Sequence, residues 1–297
     1  MKSIFSKRLI IALFCVFVFG TILFVFLNLN KDEESEAIFI PTSEESKIQS
    51  PKREVLGFSV EGREIESYTF GNGKTKIVFV GGIHGGYEWN TVILMYELMD
   101  YLKVNLESIS DELTIVVIPS LNPDGVFKII GKEGRFTISD VPTGSNAIGR
   151  FNAHNVDLNR NFDCKWQPKG VWRTEEVDCG TAPFSEPESL TIKNYVLEKE
   201  PAAVVFFHSK SNGVYGSYCE NEILPETRDI MNIYSEASGY PVYDTFDQYQ
   251  VTGDASDWLA SIDIPAISIE LKTHEDIEWE QNLAGIEALF QYYENKN

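Results

Sequence analysis

Positive charge is scarce in this chain. Lys and Arg number 25 against 45 Asp and Glu, a formal net charge of −20 at pH 7. A surface this acidic repels phosphate backbones, which argues against nucleic acid as a partner. It serves as a solubility device, or as a field that draws cationic substrates. Cysteine is also scarce. Of four residues, Cys15 sits in an apolar N-terminal run, and Cys164, Cys179 and Cys219 lie further on. If the later part of the chain is extracellular, it has room for one disulfide and one leftover thiol, and Cys164 with Cys179 would close a short surface loop. No internal repeat is present, so no repeat array is expected. A hydrophobic content of 43% with 12% aromatics excludes a largely disordered chain.

One long hydrophobic run exists. Residues 9 to 27 carry no charged side chain, and Lys2, Lys7 and Arg8 precede them. At about 1.5 Å per residue the run spans roughly 28 Å, close to the hydrocarbon thickness of a bilayer. Positive charge before it and Asp32, Glu33 and Glu34 after it predict the N-terminus inside and the rest outside. A cleaved signal peptide is the alternative, with secretion as its outcome. The run ends Phe24-Val25-Phe26-Leu27 without a small-residue cleavage site, which favours an uncleaved anchor. The expected organisation is a signal-anchor over 1–29, a flexible acidic tether over 30–52 and a catalytic domain over 53–297. The anchor makes the lipid bilayer a partner and places the domain on the outer face of the cell membrane.

Within the domain, alternation around Glu61-Gly62 suggests an opening hairpin. Apolar runs at 77–80, 113–118, 202–207 and 266–269 read as strands buried on both faces. Helical stretches are expected at 91–104, 189–197 and 283–293, the first with Val92, Met95, Leu98, Met99 and Leu102 on one face. Alternating strands and helices predict an α/β fold: a mixed, largely parallel β-sheet flanked by helices on both faces. Chemistry-bearing residues follow the strands. His84 comes after the first run, His208 after the third, and Glu270 ends the fourth. Ligands in such sheets bind beyond the carboxyl ends of the strands, so residues distant in sequence can converge there. Asn122-Pro123-Asp124-Gly125, after the second run, reads as a turn without chemistry.

His84 and Glu88 share a glycine-rich turn, Gly81-Gly82-Ile83-His84-Gly85-Gly86-Tyr87-Glu88. Each residue alone also reads as a satisfied polar group at a strand exit. Two imidazoles with one carboxylate and an open position form a catalytic zinc set. With the segments Val156-Asp157-Leu158-Asn159-Arg160-Asn161-Phe162, Pro183-Phe184-Ser185-Glu186-Pro187-Glu188, Phe207-His208-Ser209, Tyr249-Gln250, Gly253, Asp257-Trp258 and Ile269-Glu270, the chain from about Val55 onward resembles the zinc carboxypeptidase family. The resemblance implies one zinc ion per chain on His84, Glu88 and His208. It implies Arg150 for the oxyanion, Asn159 and Arg160 for the terminal carboxylate, Tyr249 closing over it, and Glu270 as general base. The physics agrees. An arginine fork matches a carboxylate with two parallel bonds, zinc acidifies water and polarises a carbonyl, and a nearby carboxylate takes the proton.

The usual first motif of that family has two residues between His and Glu; here Gly85, Gly86 and Tyr87 intervene. Ser256 falls where the family's pocket floor sets specificity, and Asp254 is placed to select a basic or amine-bearing terminal side chain. His154 and His274 read as surface or supporting residues. The expected activity is hydrolysis of a C-terminal peptide bond. The alternative is a cell-wall (murein) peptide hydrolase or an amidase of the same fold, so the expected partner is a peptide or murein-peptide substrate.

Overall fold

The structure, a computed structural model, describes residues 50–106, 109–144, 147–220 and 222–296. The expected anchor and nearly all of the expected tether lie outside the described residues. Among the described residues no helix is long and apolar enough to cross a membrane.

The chain opens with β1 (Lys52–Phe58) and β2 (Glu64–Gly71), an antiparallel pair turning where expected, with Gly62 at φ 82°. Then come β3 (Thr75–Val80), α1 (Trp89–Val104), β4 (Leu113–Ile118) and α2 (Pro123–Ile130). The segment read as a bare turn therefore starts a helix. Asn122 caps it by accepting the Gly125 N–H, Pro123 sits in the first turn, and Gly131 ends it in the left-handed region. A separate hairpin follows, β5 (Lys169–Trp172) with β6 (Glu175–Asp178), then α3 (Pro187–Lys199), β7 (Ala203–Ser209), β8 (Gly213–Gly216) and α4 (Pro225–Ser238). The last elements are β9 (Val242–Tyr243), α5 (Ala255–Ser261), β10 (Ala266–Leu271) and α6 (Trp279–Lys296).

The main sheet has eight strands in the order β1-β2-β4-β3-β7-β10-β8-β9. Its centre, β4-β3-β7-β10, is parallel, and antiparallel pairs flank it on both sides. The two-residue period of these strands sorts their side chains into two cores. Ile77, Phe79, Val205, Phe207, Ile267 and Ile269 pack with α1, α4 and α6 on one face. Val78, Val80, Val204 and Phe206 pack with Ile192 and Val196 of α3 and Leu259 of α5 on the other. Burial on both faces keeps these strands largely apolar, so charged and imidazole side chains collect at their exits.

The expected Cys164–Cys179 bridge is not formed. Cys164 is bonded to Cys219, 55 residues away, with Cα atoms 5.7 Å apart, and Cys179 is a buried free thiol. Cys179 closes the small hairpin instead: a Cβ on Gly170 would lie 2.9 Å from its sulfur. Proximity in sequence does not bring the Cys164 and Cys179 sulfurs together; tertiary packing brings Cys164 and Cys219 to bonding distance.

Candidate active site

The parallel register sets Glu270 of β10 directly opposite His208 of β7, and β3, the next strand over, leads into the loop that carries His84. That loop is shaped by glycine. Gly85 has φ 47°, and a Cβ there would lie 2.6 Å from the Gly149 carbonyl oxygen, so only glycine lets the loop press against the segment bearing Arg150. Residues Gly85–Glu88 form a single 3-10 turn. This turn absorbs the extra residue between His84 and Glu88 and returns the carboxylate to the imidazole.

His84, Glu88 and His208 thereby converge, all buried, with their ligand atoms within 4.8 Å of one another. Glu88 Oε1 is 2.8 Å from His84 Nδ1, Glu88 Oε2 is 3.2 Å from His208 Nδ1, and the two Nδ1 atoms are 3.3 Å apart. Burial opposes the Glu88 charge, yet His84 and His208 hold its carboxyl well below the usual range. Burial also opposes the charged form of His208, and the bond to Glu88 outweighs it and raises that imidazole. Two imidazole nitrogens and a carboxylate aimed at one buried point fit a divalent zinc ion, whose charge would displace the imidazole protons.

Asp157, quoted within its motif but given no role from sequence, supports this group. It is fully buried, and its Oδ1 faces His84 Nε2 at 3.4 Å. Its Oδ2 accepts from Arg150 Nε at 2.9 Å and lies 2.8 Å from Arg150 Nη2. Burial opposes its ionisation, but Arg150 chiefly, then His84, holds it strongly ionised. A carboxylate behind a ligating histidine fixes the tautomer and the ring. The signal was an acid two residues before Asn159. Arg150 itself is buried, with Nη1 3.7 Å from Glu88 Oε1 and its guanidinium 4.7 Å from the Trp172 ring centroid.

A cavity of about 650 Å³ opens beside the group, lined by His84, His208, Arg150, Asn159, Arg160, Tyr249, Ser256 and Glu270 among others. Glu270 is half-buried, and desolvation first, then Glu88, raises its carboxyl to about 7 against the opposing pull of His208. Its Oε2 accepts the Ser211 N–H at 3.0 Å. Arg160 is buried, with Nη1 on the Asn159 carbonyl at 2.7 Å and Nη2 on the Val171 carbonyl at 3.2 Å; Nε has no hydrogen-bond partner among the described residues. Gly253, at φ 66°, lies where any Cβ would meet the Arg160 carbonyl oxygen at 2.2 Å, so the segment after Tyr249 locks against the arginine. Tyr249 is half-buried, 5.9 Å from the Arg160 guanidinium. Burial raises its phenol.

At the pocket floor Ser256 and Asp254 both line the cavity, and Asp254 is also tied into the fold. Oδ1 caps α5 through the N–H groups of Ser256 and Asp257 and accepts the Ser256 hydroxyl. Its Oδ2 accepts from Asn159 Nδ2 at 2.7 Å. Asp257, given no pocket role from sequence, is a second carboxylate in the lining. Its Oδ1 accepts the Tyr218 N–H, and burial, with Asp254 adding, raises it to about 8. Lys165 lines the same cavity, its ammonium 4.8 Å from the Tyr218 ring. The 183–188 segment braces the motif from behind. Asn161 accepts from the Glu186 N–H and the Ser189 hydroxyl and donates to the Cys179 carbonyl. His154 pairs with Glu186 at the surface, and His274 is buried against Ser209.

Comparison with known proteins agrees with this geometry. The chain is 26% identical over 240 residues to gamma-D-glutamyl-L-diamino acid endopeptidase 1 of Lysinibacillus sphaericus, covering 73% of this chain and 59% of that protein, so it spans less than two thirds of that relative. Among solved structures it superposes on murein-tripeptide amidase MpaA from Escherichia coli O157 with a TM-score of 0.59, 20% identity, and coverage of 81% of this chain and 92% of that one. It superposes on carboxypeptidase A from Helicoverpa armigera with a TM-score of 0.61, 19% identity, and coverage of 82% and 70%. These likenesses establish the α/β fold. The family model "Zinc carboxypeptidase" matches residues 44–282. With that model spanning well over half its length, the chain belongs to the zinc carboxypeptidase family.

Proposed function

We propose that this zinc peptidase removes a C-terminal residue from a peptide. The observation that carries the reading is that Asn159, Arg160 and Tyr249 line the same cavity as His84, His208 and Glu270. A free C-terminal carboxylate seated against Arg160 places the preceding peptide bond beside the metal ligands. One amide hydrogen of Asn159 is committed to Asp254, which aims the other donor of that group. Tyr249 covers the pocket. His84, Glu88 and His208 would hold the zinc ion, which when bound would supply polarisation of the scissile carbonyl and a more acidic water. Glu270 accepts the proton of the attacking water and passes it to the leaving amine. Arg150, aligned by Asp157, faces the oxygen on which charge develops.

A second reading, hydrolysis of a murein peptide at a diamino residue, is supported by the Lysinibacillus relative and by the charges in the pocket. Asp257 and Lys165 together suit a terminal side chain bearing an amine, or an amine and a carboxylate, such as diaminopimelate. An amidase acting on a small acylated amino acid is the remaining alternative.

The test measures zinc content, then turnover of paired peptides with free and amidated C-termini, by the parent and by Arg160→Ala. The expected result is one zinc per chain, strong preference for the free carboxylate, and a loss in the variant concentrated on that substrate. Equal turnover of both substrates by the parent would refute exopeptidase action.

We also propose that the catalytic domain is tethered outside the cell by the run at 9–27. The charge asymmetry around that run and the Cys164–Cys219 disulfide, a bond that persists in oxidising compartments, support this placement. Membrane fractionation with protease accessibility in intact cells checks it.

A further inference from the structure

The cavity takes up only one side of the metal-ligand group. On another side stands Tyr87, one of the three residues between His84 and Glu88, which does not line the cavity. Its ring meets Trp172 edge-on at 5.3 Å and His274 at 4.6 Å. Its hydroxyl accepts from Arg173 Nη2 at 2.9 Å. Its phenol is also influenced by Glu88, Arg150 and Glu270, so it stands beside the reacting groups. Tyr87 is therefore a post between the metal loop and the tip of the β5–β6 hairpin.

That tip is built to present a cation. Arg173 adopts φ 58°, a left-handed conformation that costs a non-glycine residue energy. Its guanidinium stacks 5.1 Å from the Trp172 ring, whose other cationic neighbour is Arg150 at 4.7 Å. Arg173 is exposed, so the tyrosine bond and the stack aim it without burying it. Across from it, Lys210 follows directly after His208 and Ser209 and is exposed too. Arg173 bonds the hydroxyl of Tyr87, whose ring packs on His274, and Lys210 follows Ser209, which bonds the same histidine, so both cations belong to the surroundings of His274. Glu275, also exposed, faces the same histidine and offsets them in part. His274 is anchored by Ser209, which in turn bonds to Asn90. In a chain of net charge −20, an arginine bonded to the neighbour of Glu88 and a lysine two residues after His208 set basic groups by the metal-ligand segments.

We propose that Arg173 and Lys210, held by Tyr87, Trp172 and His274, form a carboxylate-recognition subsite for the residue that supplies the scissile carbonyl. This rests on the peptidase reading, in which the leaving residue occupies the cavity and the acyl part of the substrate leaves on the opposite side of the metal ligands. The residue recognised carries a free carboxylate next to the scissile bond. Two sources share that chemistry: an acidic residue joined in the ordinary way, and a glutamyl residue joined through its side-chain carboxyl, which keeps its α-carboxylate free.

The test uses the zinc-loaded enzyme and four peptides ending in the same lysine. The residue before it is glutamate, glutamine, side-chain-linked glutamate, or the α-amide of the last. The parent should favour carboxylate over amide by roughly tenfold in kcat/KM in at least one linkage, the scale of a charge-assisted contact. The better linkage identifies the source. Arg173→Ala and Lys210→Ala should each lose more on the carboxylate member than on the amide, chiefly through KM. Arg173→Lys should restore part of the preference and Arg173→Glu should invert it. Calorimetric binding of N-acetylglutamate and N-acetylglutamine to the zinc-loaded proteins reads the subsite independently of turnover, and thermal melting confirms that the variants fold. Equal kcat/KM or equal binding for carboxylate and amide in the parent overturns the subsite. Equal losses on both substrates in the variants do the same. A zinc-loaded parent that prefers N-acetylglutamate but cleaves none of the four peptides keeps the subsite and refutes the peptidase reading.

Discussion

Replacing Asp157 by alanine is expected to damage stability and metal affinity together. The side chain is fully buried and pairs with Arg150, itself 2% exposed, at 2.9 Å and 2.8 Å. Removing one partner of a buried ion pair leaves the other charge uncompensated, at a cost of about 3–5 kcal/mol. The Arg150 Nη1 contact to Glu88 at 3.7 Å is too long to replace it. Domains commonly hold only about 5–15 kcal/mol in total, so the variant should unfold at markedly lower urea. His84 loses the carboxylate that faces its Nε2 at 3.4 Å, and zinc affinity should fall about 10–100-fold. Asp157→Asn keeps the shape without the charge and should fall between parent and alanine. The pH sign follows from the depressed folded pKa of Asp157. Its contribution is present above the unfolded value, near 3.9, and is lost as pH falls through the folded one, so the difference between parent and variant should shrink only in strong acid. The assays are urea melts of the chelated protein at pH 7 and at pH 3, and zinc competition against a chromophoric chelator. A loss below about 1 kcal/mol with unchanged zinc affinity would refute the assigned role, since that is the range of an exposed pair.

Three further outcomes are expected. Glu270→Gln should keep zinc and lose most hydrolysis, because an amide cannot accept the water's proton; near-normal turnover in a folded, zinc-loaded variant removes Glu270 from the mechanism. His208→Ala should leave two protein ligands and bind zinc much more weakly than the parent; equal stoichiometry after dialysis counts against the ligand set. Asp257 is raised to about 8 and so is largely neutral below that pH. Discrimination between peptides ending in Lys and in Leu should therefore grow as pH rises through about 8, while the lysine stays charged to about 10. It should vanish in Asp257→Asn, and a flat ratio in the parent excludes Asp257 as the selector.

The strands and helices that carry the site were legible in the sequence because their signals are local. Four apolar runs marked β3, β4, β7 and β10 to within a few residues, and the face of α1 followed the helical period. The short elements were not legible. Helix α5 has seven residues and is defined by its Asp254 cap, and the β5–β6 hairpin has strands of four, too brief for either period to show.

By itself the sequence determined which residue types stand at the strand exits and in what order, and so the candidate metal-ligand set and the family it resembles. Only the tertiary structure decided how they meet. The register of β10 on β7 sets Glu270 against His208, and a 3-10 turn returns Glu88 to His84 despite the added residue. It paired Cys164 with Cys219 rather than with the nearer Cys179, and it made Asp254 a helix cap and set Asp257 beside it in the pocket lining. It also put the Tyr87 hydroxyl within bonding reach of Arg173. The reason is common to all of these. Periodicity and residue type report the few positions around a residue, whereas a disulfide, a carboxylate's free lone pair and an arginine's direction depend on atoms tens of residues away, which only packing brings within reach.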